Sequence, residues 1–251
     1  MKTIPEVNVA VLICSSDGRR DVLERVLPSL FKYWPDCPYP IYVGLNTNYE
    51  CGPKITTLLA QPSEWRKECF EQLTQTNETY VILVLDDFLF QRPVDQSRLS
   101  TLLSKAVDSN LQYLRMLPLG RSILDRVFDL VRRPADVDIR AINEGRPFYS
   151  GLQIAIWNKT HLMTLLNSNG SIWDFEHKKH PGVTHYAITG RPPIYYSHLV
   201  EKGRWLPYAK SLLTHAGLPA NLGTRPMWPK WMHLRLVLDK VRFYVVGYAN
   251  H

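Results

Sequence analysis

The sequence predicts an α/β fold, a mostly parallel sheet flanked by helices, with a C-terminal helical extension. Three observations predict it. The runs Asn8–Cys14 (NVAVLIC) and Tyr80–Leu85 (YVILVL) are continuously apolar, as strands covered on both faces are. Residues 8–90 read strand, helix, strand, helix, strand, the order of right-handed βαβ units. The chain has 251 residues, 45% hydrophobic and 21% charged, which is ample material for a core.

The elements follow in order. After Cys14, Ser15-Ser16-Asp17-Gly18 reads as a turn or helix start. Val22, Leu23, Val26, Leu27, Leu30, Phe31 and Trp34 then recur at helical spacing, with Pro28 implying a kink or a late start. Ile41–Leu45 is a short strand ending in Asn46-Thr47-Asn48, and Trp65, Cys69 and Leu73 mark a helix from about Ser63. Leu99, Leu102, Leu103 and Ala106 predict a further helix, and Leu111–Leu117 a strand. Residues 120–146 are highly charged, with helical periodicity at Ile123, Val127, Leu130 and Val131, and read as a mobile or an acceptor-facing insertion. Pro147–Trp157 reads as a strand with a bulge or close approach at Gly151, and Thr160 as the cap of a helix through Leu166. Trp231, Leu234, Leu238, Val241 and Val245 form an amphipathic stripe. The division expected is a main domain over 1–210 and a basic, aromatic-rich extension over 211–251.

The four cysteines form no C-x-x-C pair, so a zinc site is not expected. No signal-peptide core precedes the first strand and no uncharged apolar stretch reaches membrane-spanning length. Reduced thiols and a cytoplasmic location are the expectation, with the inner face of a membrane as a variant. The formal charge is +7, and residues 201–251 supply +6 of it, from eight Lys or Arg against Glu201 and Asp239. An anionic partner is therefore expected at the C-terminal part. The stripe has two readings, a helix docked on its own domain or one lying on an anionic membrane surface. Nucleic acid is disfavoured, because the charge is confined to one end and no nucleic-acid motif is present.

The candidate centre is Asp86-Asp87, at the end of the second apolar run. Two adjacent carboxylates there are costly unless a cation compensates them. The reading is a divalent metal, Mg²⁺ or Mn²⁺, bridging them to a phosphate-bearing ligand at the carboxyl end of the sheet. The alternative is a cap, or pairing with arginines.

Four pieces in order carry a resemblance: Glu64-Trp65-Arg66, Leu85-Asp86-Asp87-Phe88, Gly151-Leu152-Gln153-Ile154-Ala155-Ile156-Trp157 and Trp173-Asp174-Phe175-Glu176. Over residues 8–205 the chain resembles GT-A type glycosyltransferases, in particular small bacterial sugar transferases of surface-polysaccharide assembly. The resemblance implies a Rossmann-like sheet, a nucleotide-sugar donor, and a glycan or lipid-linked acceptor. It implies metal ligands at Asp86, Asp87 and His198, although this sequence has adjacent acids where that family commonly has D-x-D. It places the acceptor base at Asp174 or Glu176, with preference for Glu176 because of its aromatic neighbours; the alternative is a helix cap. It sets the nucleotide beyond the first two strands, near Ser15, Asp17 and Asn46, beside Asp86. Lys202 and Arg204, flanking Gly203, are the expected phosphate clamps. Two other functions compete. A nucleotidyltransferase would share the strand-end acids but normally carries a Gly-rich basic loop after the first strand. A non-catalytic adaptor would bind membrane or glycan through the basic tail.

Overall fold

The computed structural model describes residues 8–118, 138–145, 148–168, 172–177, 182–232 and 234, apart from the side chains of Trp173 and His177. The strands are β1 (Val9–Cys14), β2 (Ile41–Leu45), β3 (Ile55–Leu59), β4 (Tyr80–Leu85), β5 (Phe88–Phe90), β6 (Tyr113–Arg115), β7 (Ile139–Ala141), β8 (Ala155–Asn158), β9 (Tyr186–Ile188), β10 (Tyr196–His198), β11 (Val200–Glu201) and β12 (Arg204–Trp205). The helices are α1 (Arg20–Tyr33), α2 (Trp65–Thr74), α3 (Gln96–Asp108), α4 (Lys159–Leu166), α5 (Ile172–His177) and α6 (Ala209–His215), with a 3₁₀ turn Asp17–Arg19 leading into α1.

Eight strands form the main sheet in the order β3-β2-β1-β4-β8-β6-β9-β7. β1 pairs in parallel with both β2 and β4, β2 with β3, and β6 with β9, while β7 and β8 run against the rest. The α/β class and the mostly parallel sheet are as the sequence predicts.

The pleat divides the core. Val9, Val11 and Ile13 of β1 and Ile82 and Val84 of β4 face α1 and α3, packing with Leu23, Leu27, Leu30, Leu99 and Leu103. Leu12, Cys14, Val81 and Leu83 face the other way, onto Cys69 and Leu73 of α2 and Leu162 and Leu165 of α4. Successive strand residues point to opposite faces, so a strand covered by helices on both sides must be apolar throughout. A third cluster brings Val22 and Val26 of α1 together with Leu89, Leu199, Trp205, Ala209 and Leu213. It seats β5, the β11–β12 hairpin and α6 against α1.

Several expected elements are revised. α1 runs through Pro28; Ser29, beside it, donates to the Val26 carbonyl at 2.7 Å and accepts from the Phe90 amide at 3.0 Å. The strand expected over 147–157 is confined to β8, and the preceding Gly151 is a close approach: a Cβ there would lie 3.0 Å from Arg115 Nη2. Asn158, not Thr160, caps α4, its side chain accepting from the His161 amide at 3.1 Å. The periodic segment around Ile123–Val131 and the stripe beyond Leu234 lie outside the described residues.

Candidate active site at the carboxyl end of β4

β4 ends at Leu85, so Asp86 and Asp87 occupy the turn into β5, where strand alternation no longer governs their directions. Both are buried. Asp86 Oδ2 accepts from Ser15 Oγ at 2.8 Å. Arg19 grips the same carboxylate, with Nε 2.8 and 2.7 Å from its two oxygens and Nη2 2.6 Å from Oδ1. Burial pushes the Asp86 carboxyl above its ordinary range, while Arg19 and Ser15 pull it back. The cation beside Asp86 is thus a guanidinium supplied by the 3₁₀ turn that follows β1, the strand paired with β4.

Asp87 faces a different partner. Its Oδ2 lies 3.4 Å from Nδ1 of His198, 111 residues further along the chain. β10 delivers His198 by pairing antiparallel with β5, in the register His198↔Phe88. Phe88 holds this ribbon together, stacking on Tyr196 at 4.3 Å between ring centroids and meeting the His198 ring edge-on at 4.6 Å. The Leu199 amide donates to the Asp87 carbonyl at 2.9 Å. Tyr208 stands within electrostatic reach: burial raises its hydroxyl pKa, and the Glu201 and Asp87 carboxylates raise it further.

Asp17 and Asn46 lock to one another. The Asp17 amide donates to Asn46 Oδ1 at 2.9 Å, and Asp17 Oδ1 accepts from the Asn46 amide at 3.1 Å. Asp17 Oδ2 accepts from Thr47 Oγ1 at 2.6 Å, and this bond leads the causes that lower the Asp17 pKa. Asn46 Nδ2 reaches Glu68 and the Ala60 carbonyl. Two hydrogen-bonded pairs, Ser15 with Asp86 and Asp17 with Asn46, thus form the rim at the ends of β1, β2 and β4.

Lys202 and Gly203 are the two central residues of the β11–β12 hairpin, with φ +48° and +72°. Positive φ at both is the signature of a type I′ turn, in which glycine costs nothing and lysine is strained. Arg204 is exposed and lies over the Trp228 ring, 5.3 Å from its centroid.

Asp174 and Glu176 lie on α5. Asp174 is exposed, whereas Glu176 Oε1 accepts from the Leu152 amide at 2.8 Å and its carbonyl from the Ser150 amide at 3.2 Å. The carboxylate thus fastens the 150–152 loop to α5, and neighbouring Phe175 is buried against Trp65 and Trp157. Burial raises the Tyr113 pKa, with Glu176 adding to the rise, and burial raises that of Tyr196, with Tyr113 and Asp87 adding and Arg115 opposing.

The structure brings together Asp87 with His198, Ser15 with Asp86, and Asp17 with Asn46. Asp86 is bonded to Ser15 and Arg19, and Arg19 also lies within electrostatic reach of Asp87. Among the described residues no group of three or more His, Cys, Asp or Glu is arranged to hold a metal. Asp87 and His198 fit a hard divalent ion as a pair whose shell substrate oxygens and water would complete. Sequence reasoning missed Arg19 and Arg115. Arg19 had a signal: a buried strand-end carboxylate needs a cation, and the adjacent parallel strand ends five residues before an arginine pair. Arg115, buried and donating to Gln153 Oε1 at 2.8 Å, had none.

No protein-family model and no curated protein matches the chain. Among solved structures it is similar to TarS of S. aureus, at 14% identity over 63% of this chain and 29% of that one, with a TM-score of 0.39. A cytidylyltransferase from Leptospira borgpetersenii serovar Hardjo-bovis matches at 12% identity over 68% and 69% of the two chains, TM-score 0.38. The galactosyltransferase LgtC, solved with donor and acceptor sugar analogues, matches at 11% identity over 62% and 59%, TM-score 0.38. The chain therefore spans under a third of TarS and less than two thirds of LgtC.

Proposed function

We propose that this protein is a glycosyltransferase that moves a sugar from a nucleotide-sugar donor to a hydroxyl of a glycan or lipid-linked acceptor in surface-polysaccharide assembly. The observation that carries the reading is the meeting of Asp87 and His198 at the carboxyl end of β4, beside an Asp86 already neutralised by Arg19. That leaves one buried carboxylate and one half-exposed imidazole facing the place where ligands of open α/β sheets collect.

In the reaction the acceptor oxygen attacks the anomeric carbon, the bond from that carbon to the donor's phosphate oxygen breaks, and the acceptor proton passes to a base. Asp87 and His198 would hold a divalent ion, which when bound supplies charge stabilisation at the leaving phosphate. Lys202 and Arg204 would face the same phosphate. Glu176, with one oxygen fixed by the Leu152 amide, is the preferred base over the exposed Asp174. The rim of Ser15, Asp17 and Asn46 would shape the nucleotide pocket through the backbone it holds. The experiment is calorimetric titration with UDP, GDP, CDP, CMP and dTDP, with and without Mn²⁺, on the native chain and Asp87→Ala. Binding of one nucleotide that weakens in the variant supports the reading. Failure of every nucleotide to bind under either condition overturns it.

A second, compatible reading concerns the membrane. Among the described residues no helix is long and apolar enough to cross one. Met227, Trp231 and Leu234 are nevertheless exposed, at 41%, 64% and 59%, beside exposed Lys230. Apolar side chains among basic ones suit peripheral contact with an anionic surface. Co-sedimentation with vesicles containing anionic lipid, against neutral vesicles, tests it; equal recovery with both would count against it.

A further inference from the structure

Arg225 belongs to the basic C-terminal part, yet its charge is not offered to an external anion. Its Nε donates to Asp21 Oδ2 at 2.7 Å and its Nη2 to Asp21 Oδ1 at 2.6 Å, a two-pronged pair at the start of α1. Nη2 also reaches the Gly18 carbonyl at 3.0 Å, one residue before Arg19. Nη1 reaches the Gly203 carbonyl at 3.2 Å, in the tip of the β11–β12 hairpin. One guanidinium thus joins the turn that presents Arg19 to Asp86 with the hairpin tip that presents Lys202. The Arg225 side chain is only 16% exposed, and its bond to Asp21 leads the causes that lower the Asp21 pKa.

The strap around Arg225 is fastened on both sides. The Trp205 amide donates to the Pro226 carbonyl at 2.9 Å, and the Trp228 amide to the Trp205 carbonyl at 2.8 Å. Trp228 Nε1 donates to the Glu201 carbonyl and Trp205 Nε1 to the Leu222 carbonyl, both at 2.8 Å. The hairpin itself has only two residues in each strand, too few to hold a strained lysine in place unaided.

We propose that Arg225 is the positioning residue of the donor site: it pins the hairpin tip to the Gly18–Asp21 turn, so that Lys202 is held in a fixed geometry for the donor's phosphate. This rests on the glycosyltransferase reading above. Preorganisation of this kind improves affinity by removing the cost of ordering the hairpin at binding. A lysine cannot replace the arginine, because only the planar fork serves Asp21 and both carbonyls together.

The test uses the full chain and its Arg225→Met and Asp21→Asn variants. Amide hydrogen exchange is read without ligand in residues 201–205 and in β4, and affinity is read for the nucleotide the native chain binds. Arg225→Met is expected to quicken exchange in the hairpin about tenfold or more, equivalent to about 1.4 kcal/mol of local opening, while β4 is unchanged. Nucleotide affinity is expected to fall about tenfold, with Asp21→Asn showing the same direction. Adding Lys202→Ala should then cost nothing further in the Arg225→Met background, although it weakens binding in the native one. Unchanged hairpin exchange, equal quickening in β4, or undiminished affinity would each overturn the positioning role. If the native chain binds no nucleotide, the donor reading itself falls, and quickened hairpin exchange would then mark Arg225 as a structural latch alone.

Discussion

Lys202 offers a test in which stability and binding move in opposite directions. Its φ of +48° lies in the left-handed region, and Gly203 follows at +72°. For a residue with a Cβ this conformation costs about 1–2 kcal/mol, whereas asparagine occupies it readily and is favoured in type I′ turns. Lys202→Asn should therefore recover part of that cost, about 0.5–1 kcal/mol. For a chain of this size that is a rise in Tm of about 1–4 °C, read by scanning calorimetry. The same change removes an ammonium from the proposed phosphate site, and nucleotide affinity should fall about tenfold, read by titration calorimetry. Lys202→Ala is the control, because it loses the charge and keeps the strained backbone; it should lose affinity without gaining Tm. A variant Lys202→Asn that melts lower than the native chain would refute the strain argument. One that binds as tightly as the native chain would refute the role of the lysine.

Further predictions follow from buried polar groups. Arg19→Met strands the Asp86 carboxylate in the interior and should destabilise by about 3–5 kcal/mol in denaturant unfolding, whereas Arg19→Met with Asp86→Leu should recover much of the loss. Gln72 is buried against Gly44 with neither amide atom hydrogen-bonded, so Gln72→Met should stabilise by about 1 kcal/mol, seen as a shifted midpoint at constant slope. Burial lowers the His161 pKa in the folded chain, where its Nε2 lies 3.0 Å from that of His185. The unfolded chain takes up this proton first as pH falls below about 6.5, so the stability His161 contributes is complete above that value and declines from there toward its folded pKa. His161→Gln should flatten the difference in unfolding free energy between pH 7.5 and 5.5, by about 1.4 kcal/mol per pH unit at most for one proton; an unaltered difference would rule out His161 as its source.

What the sequence discloses of this fold depends on how each segment is buried. β1 and β4 are legible because both faces of each are covered, leaving no room for a polar residue. α1 and α3 are legible because one stripe packs and the rest is wet. β3 escapes detection as an edge strand whose residues are mostly half-exposed, and β11 and β12 are two residues long, shorter than any period. The site shows the same division. Asp86 and Asp87 stand out because charge at the end of an apolar run is anomalous. The partners that give them different chemistry do not: Arg19 sits in an ordinary polar turn, and Arg225 finds Asp21 across 204 residues. Pairing at that separation is a property of the assembled chain and leaves no local pattern.

The order in which the chain leaves the ribosome gives the Ser15–Arg19–Asp86 contact a further meaning. Arg19 and Ser15 are made before Asp86, so its counter-charge is already waiting when β4 emerges beside β1. Asp87 must wait for His198, more than a hundred residues later, and Asp21 longer still for Arg225. At about 5–20 residues per second, the half-finished protein spends about five to twenty seconds or more with a neutralised β4 and an open site. The early half thus carries its own counter-charge for Asp86, and the late half brings the imidazole and the hairpin that complete the site.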